Sequence, residues 1–407
     1  MDFVIIANAW QAGVANPTSK HRIAQELVRR GHRVLWVEGA GMRRPSLGSQ
    51  TDRHRIVRKL AAAAGGARNV LPPAPQNGGA LWVVSPLFVP LPSVPWMRRL
   101  NGRIGSRAAR GWSRRLGFRD PVLINYVPVL ADAMKRWPGT AVYHCVDRWD
   151  AFDMYDSAVM ARMDEQCCRH ADLVIASAAE LAARCLRFNS RVHLVPHGVD
   201  HAHFAQALAS EDRPPDLPVG RVAGFFGLIS EWIDQALLVR LAGELPGAQI
   251  VLIGTPDVPT DRLGAVPNIH LLGPRPFTAL PAYIRHFQAG LIPFAVNDLT
   301  RAVNPIKLRE MLAAGCPVVS TALPEVLDAS RRMGEGARRW LRVADDAGAF
   351  VAAVKELLDK PASPQERMRL SQSVASETWE AKVDQILALL EPGRGPGARR
   401  DAEGRVT

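Results

Sequence analysis

The stretch "NPIKLREMLAAGCPVVST", Asn304 to Thr321, holds two periodicities side by side. Leu308, Met311 and Leu312 recur at helical spacing, and Ala313 and Ala314 continue the turn. Asn304 suits the N-cap and Pro305 the first helical position, where a missing N–H has no partner to lose. Gly315 supplies a left-handed stop, so the spacing predicts a helix of about ten residues from Pro305. The "CPVVST" that follows is apolar and β-branched between turns, as suits a strand buried on both faces of a parallel sheet. A helix feeding such a strand is the unit of an α/β fold.

Lys307 is out of place in that helix. The first turn carries roughly half a positive charge and several unpaired N–H groups, which repel an ammonium. The lysine makes sense where an anion docks and takes both. Glu310 stands three residues on and projects from the same face. That face therefore offers a cation for phosphate and, one turn deeper, a carboxylate for sugar hydroxyls. The competing reading is a surface Lys–Glu pair, worth only about 0.2–0.5 kcal/mol.

Outward from this stretch the same grammar repeats. In the first half "DFVIIAN", the helix "KHRIAQELVRRGH", "RVLWVE", "PVLINYV", "TAVYHCV", "DLVIAS" and "RVHLVP" alternate with amphipathic segments. After the linker "ASEDRPPDLPVG" the pattern restarts with "RVAGFFG", "AQIVLIG", "NIHLLG", "AGLIPF", "CPVVST" and "RWLRVA". Two doubly wound α/β domains are the simplest reading. Residues 1–205 and 206–375 form them, residues 376–392 a C-terminal helix turning back toward the first, and residues 393–407 a disordered tail. Residues 363–391 read as helical throughout, with Trp379, Val383, Ile386 and Leu389 giving an apolar stripe.

The 407 residues, 47% apolar and 22% charged, exclude a disordered or fibrous chain. "MDFVIIANAW" has an acid at position 2 and no basic n-region or cleavage site, so it reads as a first strand. The apolar run from Ala80 to Met97 is broken by Pro86, Pro90, Pro92 and Pro95, which argues against a membrane span. Cys145, Cys167, Cys168, Cys185 and Cys316 are odd in number and lack C-x-x-C spacing, so free buried thiols in a cytoplasmic protein are expected.

Ligands of open α/β sheets bind beyond the carboxyl ends of the strands. There "VYHCV" leads into Asp147 and Arg148, "VHLVP" into His197 and Gly198, and "GLIPF" into Asn297, Arg301 and Lys307. Two such edges facing each other make a cleft.

Three stretches, "AVYHCVDRWDAF", "LVPHGVDHAHF" and "GLIPFAVNDLTRAVNPIKLREMLAAGCPVVST", resemble the GT-B glycosyltransferases. More narrowly they resemble the bacterial enzymes of exopolysaccharide, capsule and teichuronic-acid assembly, with landmarks of the glucuronosyltransferase of xanthan synthesis. The resemblance implies two Rossmann-like domains across a cleft and transfer from a nucleotide-sugar, with UDP the default base. It implies that Lys307 contacts the donor diphosphate, Glu310 the ribose, and that Asp147 is the base. "HGVD" then forms the hinge beside the cleft. Asn304, Arg301, Asn297 and Gly227 complete the expected donor side, and His21, His144 and His197 the acceptor side or cleft. Two departures stand out. Many retaining members carry a glutamate seven residues before the ribose-binding one, where this chain has Val303, and "GLISEWID" lacks the usual Arg and Lys. Both weaken a retaining assignment, and Asp147 as base would favour a single displacement with inversion. No metal or cofactor is inferred.

Asp147 has a competing role as the cap of a helix in "RWDAFDMY", with Asp150 completing the pair. Asp234 reads as the cap of "QALLVRLAGEL". Rival functions are a sugar-nucleotide epimerase of the same fold and a non-enzymatic polyanion-binding protein. The second has only the net charge of +12 behind it, without a nucleic-acid motif. That charge is concentrated: Gly41 to Arg119 holds fifteen basic residues and one acid. In it "DRHRIVRKLAAAA" and "MRRLNGRIGSRAARGWSRRLGF" form arginine-rich helices, and Trp96 stands beside the second. Basic charge beside an apolar, Trp-bearing edge suits a peripheral protein on the anionic inner face of the cell membrane, bound to a lipid-linked or polysaccharide acceptor.

Overall fold

The computed structural model describes residues 1–10, 17–40, 66–71, 78–89, 91, 93–209 and 212–391. Its first sheet has β1 (Asp2–Ala7), β2 (Arg33–Glu38), β3 (Arg68–Leu71), β4 (Ala80–Val84), β5 (Val122–Asn125), β6 (Ala141–Cys145), β7 (Leu173–Ala176) and β8 (Val192–Leu194). Their spatial order is β3-β4-β2-β1-β5-β6-β7-β8, parallel except for β3 against β4. The second sheet has β9 (Arg221–Phe226), β10 (Ala248–Ile253), β11 (Ile269–Leu271), β12 (Phe287–Ile292), β13 (Val318–Thr321) and β14 (Leu341–Ala344). It is parallel, in the order β11-β10-β9-β12-β13-β14.

These orders decide where a ligand goes. β1 pairs with β2 on one side and β5 on the other, and β9 with β10 and β12, so the winding reverses beside β1 and beside β9. The connections part at those points and leave a crevice beyond the strand ends. The fold is the expected pair of doubly wound domains. Two helices bear on the crevice, α1 (Ser19–Arg29) and α3 (Ile306–Ala313); α2 (Pro95–Arg115) lies in the first domain away from it, and α4 (Trp379–Leu390) packs back on the first sheet.

The inner strands of both sheets, β1, β2 and β4 to β7 in the first and β9, β10, β12 and β13 in the second, are almost wholly buried, which is why those segments read as apolar runs, whereas the edge strands β8, β11 and β14 are partly exposed. Each sheet organises its own core. Trp379, Val383 and Ile386 of α4 join the core of the first sheet, and Arg30 of α1 holds α4 by the Asp384 carboxylate and the Glu380 carbonyl. All five cysteines are buried and unpaired.

Several local expectations are corrected. β3 is unexpected, and β4 opens the run from Ala80 read as proline-broken; the prolines follow β4 rather than interrupt it, and Ala80–Val84 pairs along β2. The helix expected over residues 363–391 is two, Pro364–Gln372 and α4, because Thr378 starts afresh as an N-cap accepting from the Ala381 N–H. "RWDAFDMY" makes only the 3-10 turn Trp149–Ala151. Asp234 does cap Gln235–Glu244, accepting from the Leu237 N–H at 2.9 Å. "DRHRIVRKLAAAA" and residues 393–407 lie outside the described residues.

The carboxyl ends of β9 and β10 are joined backbone to backbone. Gly227 donates its N–H to the Ile253 carbonyl at 2.8 Å, and Gly227 and Gly254 take φ of 137° and 157°, accessible only to glycine without strain. A Cβ on Gly254 would lie 1.7 Å from the Gly227 carbonyl oxygen. Gly254→Ala should therefore lower stability by on the order of 1–3 kcal/mol, read from the urea midpoint. Gly243→Ala, where a Cβ meets nothing within 4 Å inside a helix, should be neutral or slightly stabilising. Equal midpoints for the two variants would contradict this packing.

Candidate active site

Two adjoining cavities fill the crevice between the sheets, of about 330 and 300 Å³. Thr18, Gly227, Leu228, Ile306 and Lys307 form walls of both. The first continues toward Lys20, Asp147 and His197, the second toward Gly254, Thr255, Arg275 and Glu310.

α3 enters this shared wall by its N-terminus. Pro305 is extended, with φ −72° and ψ 110°, so the helix begins at Ile306, one residue later than expected. No side chain caps it and no acid stands in its first turn. The first-turn amides of a helix start without an intrahelical partner. α1 starts the same way: no acid in its first turn and no capping bond from Thr18, whose hydroxyl instead meets His21 Nδ1 at 2.8 Å. Each helix carries a lysine there, Lys20 and Lys307. Two uncapped N-termini, one after β1 and one from the second domain, thus border one space with a cation each. That is a site for an anion with more than one charge.

Lys307 Nζ lies 2.8 Å from Glu310 Oε2 and 4.7 Å from the centre of the Phe226 ring. The pair forms, but it is not a surface pair: the Glu310 side chain is 10% exposed and both residues line the second cavity. Gly227 sits against the lysine, where an added Cβ would come 3.0 Å from Lys307 Cε.

The other expected donor residues divide. Asn304 lines the first cavity but does not cap α3; its amide donates to Glu325 and accepts from Arg309 Nη1 at 2.7 Å. Asn297 is a helix cap, accepting from the Thr300 N–H at 3.0 Å ahead of Asp298–Arg301. Arg301 is exposed, and neither it nor Asn297 lines the cavities. The sequence pattern put them near the crevice because they follow β12, but the capping turn points them away.

Asp147 lines the first cavity and caps no helix; Arg148 stands at the head of the 3-10 turn, and Asp150 is paired with Arg184 at 3.0 Å. Burial raises the Asp147 carboxyl above the ordinary carboxylate range, with Lys20 opposing. Lys20 is buried, 5.9 Å and 5.8 Å from the rings of Tyr126 and Trp149, and burial lowers its ammonium while Asp147 works to raise it. Sequence reasoning missed Lys20. The signal was the same as for Lys307: a lysine in a helix's first turn, with no acid beside it, directly after a switch-point strand.

Of the three histidines, only His197 lines a cavity. Burial, then His144 and Arg309, push its pKa down to about 3, so it stands neutral in the wall. His144 is fully inside, packed on Tyr126 at 4.8 Å and held at about 3, first by burial. His21 packs against Trp10 and stacks on Trp36 at 5.0 Å, its pKa lowered to about 4, first by burial. These two are neutral packing groups behind the crevice. Among the described residues no three His, Cys, Asp or Glu side chains gather as a metal cluster.

Family comparison covers both domains. Residues 18–203 match the model described as Glycosyltransferase Family 4, and residues 220–360 that of Glycosyl transferases group 1. The chain has the GT-B glycosyltransferase fold, each domain matching a glycosyltransferase family model. The GT-B chain is 28% identical over 202 residues to a Bacillus subtilis protein assigned as a teichuronic acid biosynthesis glycosyltransferase, covering 45% of this chain and 50% of that one. It spans about half the length of the curated relatives it matches. In fold it is similar to sucrose-phosphate synthase of Thermosynechococcus elongatus, with a TM-score of 0.68, 14% identity, and 96% and 98% of the two chains covered. It is also similar to Anabaena Alr3699/HepE, solved in complex with UDP, at a TM-score of 0.62, 13% identity, and 96% and 99% coverage.

Lys307→Ala and Glu310→Ala should each fold normally and weaken nucleotide binding by on the order of 1–3 kcal/mol, the scale of a charge-assisted hydrogen bond. Titration calorimetry with UDP reads this, and unchanged affinity in both variants would refute the site.

Proposed function

We propose that this GT-B chain transfers a sugar from a nucleotide-sugar, UDP-linked, to a lipid-linked or polysaccharide acceptor in bacterial cell-surface or exopolysaccharide assembly, without a metal. The observation that carries the reading is the Lys307–Glu310 pair at an uncapped helix N-terminus, on the wall shared by two cavities. The diphosphate lies against Lys307 and the amides of α3. The nucleoside extends along the second cavity, its ribose hydroxyls donating to Glu310. The sugar enters the first cavity, opposite Asp147. Residues 1–205 then hold the acceptor and residues 206–375 the donor.

Chemistry follows from these positions. Asp147 accepts the proton of the acceptor hydroxyl as that oxygen attacks the anomeric carbon. The bond from that carbon to the diphosphate oxygen breaks on the opposite face, giving inversion. Charge accumulates on the leaving diphosphate, where Lys307 and the α3 N-terminus already point, so its stabilisation needs little reorganisation. The apolar Val303 fits this single displacement, since it offers no carboxylate on the donor side.

Asp147→Asn should keep nucleotide binding and lose about 10² or more in turnover, the usual scale for a missing general base. The raised carboxyl also sets a direction with pH. A base that stays protonated to higher pH is lost as pH falls through that raised value, so the acid limb of kcat/KM should lie above the ordinary carboxylate range. Lys20→Met removes the opposing cation and should move that limb to still higher pH. An acid limb at the ordinary value, unmoved in Lys20→Met, would remove Asp147 from the role.

The acceptor domain carries the membrane half of the proposal. Along α2, Trp96, Arg99, Leu100, Arg103, Arg107, Arg110 and Arg114 fall at three- and four-residue spacing and are all exposed. Trp96 is 60% exposed. This stripe of arginines with a tryptophan at one end suits an anionic leaflet. Arg98, expected on that face, is buried; it lines a neighbouring hollow with Arg99, Lys135, Arg162 and Arg169. No helix among the described residues is long and apolar enough to cross a membrane. Binding to anionic vesicles should be salt-sensitive and disappear when Arg99, Arg103, Arg107 and Arg110 become Gln, with UDP affinity kept. Equal binding to neutral and anionic vesicles at low salt would contradict it.

A further inference from the structure

The first cavity is lined unequally by the two domains. From the first come the polar Thr18, Ser19, Lys20, Asp147 and His197, with Val146 and Phe152 between them. From the second come Leu228, Trp232, Phe294, Leu299 and Val303, with Ile306 at the head of α3. Phe294 and Leu299 are buried, Phe294 within the core of the second sheet, and Trp232 and Val303 pack against that core. The polar side chains on this side are not left for the sugar: Asn304 is bonded to Glu325 and Arg309, and Lys307, paired with Glu310 here, is taken by the diphosphate in the proposed complex. Among the described residues, the Trp232 indole N–H is the one remaining polar group that the second domain's side chains bring to this wall.

A hexose is ringed by hydroxyls, and each one pressed against such a wall loses its water without gaining a partner. A sugar with hydrogen or methyl at that edge loses nothing and buries apolar surface. We propose that the donor sugar is a deoxysugar, its methyl-bearing edge held by Val303, Leu299, Phe294 and Trp232. The inference rests on the nucleotide-sugar reading and deepens it: the diphosphate site fixes where the sugar must go, and this wall chooses which sugar fits. Val303 is the specificity position, since it stands one residue before Asn304 and shares the wall with both the apolar cluster and the head of α3.

The test separates the two claims. Calorimetry with free UDP, GDP and dTDP first establishes which base binds. On that base, matched pairs differing only in the 6-hydroxyl are then compared, glucose against 6-deoxyglucose and galactose against 6-deoxygalactose. The deoxy member of at least one pair should bind on the order of 10-fold tighter than its partner, the usual discrimination by an apolar pocket. Val303→Thr, nearly the same in shape, should shrink that ratio, and Val303→Glu should reverse it, both with free-nucleotide affinity unchanged as the measure of an intact fold. If a nucleotide binds but both hydroxylated sugars bind as tightly as their deoxy partners, the deoxysugar inference falls and the nucleotide site stands. If none of the nucleotides binds, both fall.

Discussion

Asn304 is bonded at both ends of its amide, giving a hydrogen bond to Glu325 and taking one from Arg309. Neither partner stops there. Glu325 also accepts the Ala179 N–H at 2.8 Å, at the start of the helix Ala179–Leu186 in the first domain. Arg309 lies 3.5 Å from Glu377, which holds Lys382 of α4 at 2.6 Å. A chain of polar contacts, buried at Asn304, Arg309, Glu325 and Lys382 and half-buried at Glu377, thus runs from the first domain, through the residue preceding Pro305, to the helix that packs back on the first sheet. Removing one member of such a chain leaves an uncompensated buried charge, which is why these networks hold one geometry. Its position fixes the three residues that follow, and with them the direction in which α3 and Lys307 enter the crevice.

The second constraint is electrostatic. Lys20 and Lys307 stand on two helix N-termini beside a common wall, an arrangement unfavourable by itself. Asp147 and Glu310 offset it within the protein, one for each lysine. A nucleoside diphosphate adds negative charge where the two positive ends converge, so binding relieves what folding left strained. The same logic explains why the acids lie beside the lysines rather than in the first turns, where they would cap the helices and cancel the site.

Much of the fold was legible because parallel strands buried on both faces leave continuous apolar runs, and twelve of the fourteen strands were read, the edge strands β8, β11 and β14 from shorter apolar segments in the same alternation. β3 and β4 were not, since the prolines after β4 dominate the local pattern. Lys307, Glu310, Asp147 and Gly227 were legible because each breaks a local rule at a strand or helix end. Asn297 and Arg301 misled, and Asn304 reaches the first cavity only with its amide already bonded, for a physical reason: residues after a carboxyl strand end offer polar groups to the crevice only if their side chains are not spent elsewhere. Asn297 is spent on a capping box, Asn304 on Glu325 and Arg309. His21 and His144 misled because packing on aromatic rings leaves no trace in spacing, while His197 does stand in the wall of the first cavity.

The central claim is that the crevice is a nucleotide-sugar site organised by the head of α3. A crystal structure of the chain with bound UDP tests it most directly. The account expects diphosphate oxygens within hydrogen-bonding distance of Lys307 Nζ and the first amides of α3, with ribose hydroxyls on Glu310 and the sugar side of the diphosphate opening toward Asp147. A nucleotide seated elsewhere, or one that leaves the Lys307–Glu310 pair untouched, would contradict it.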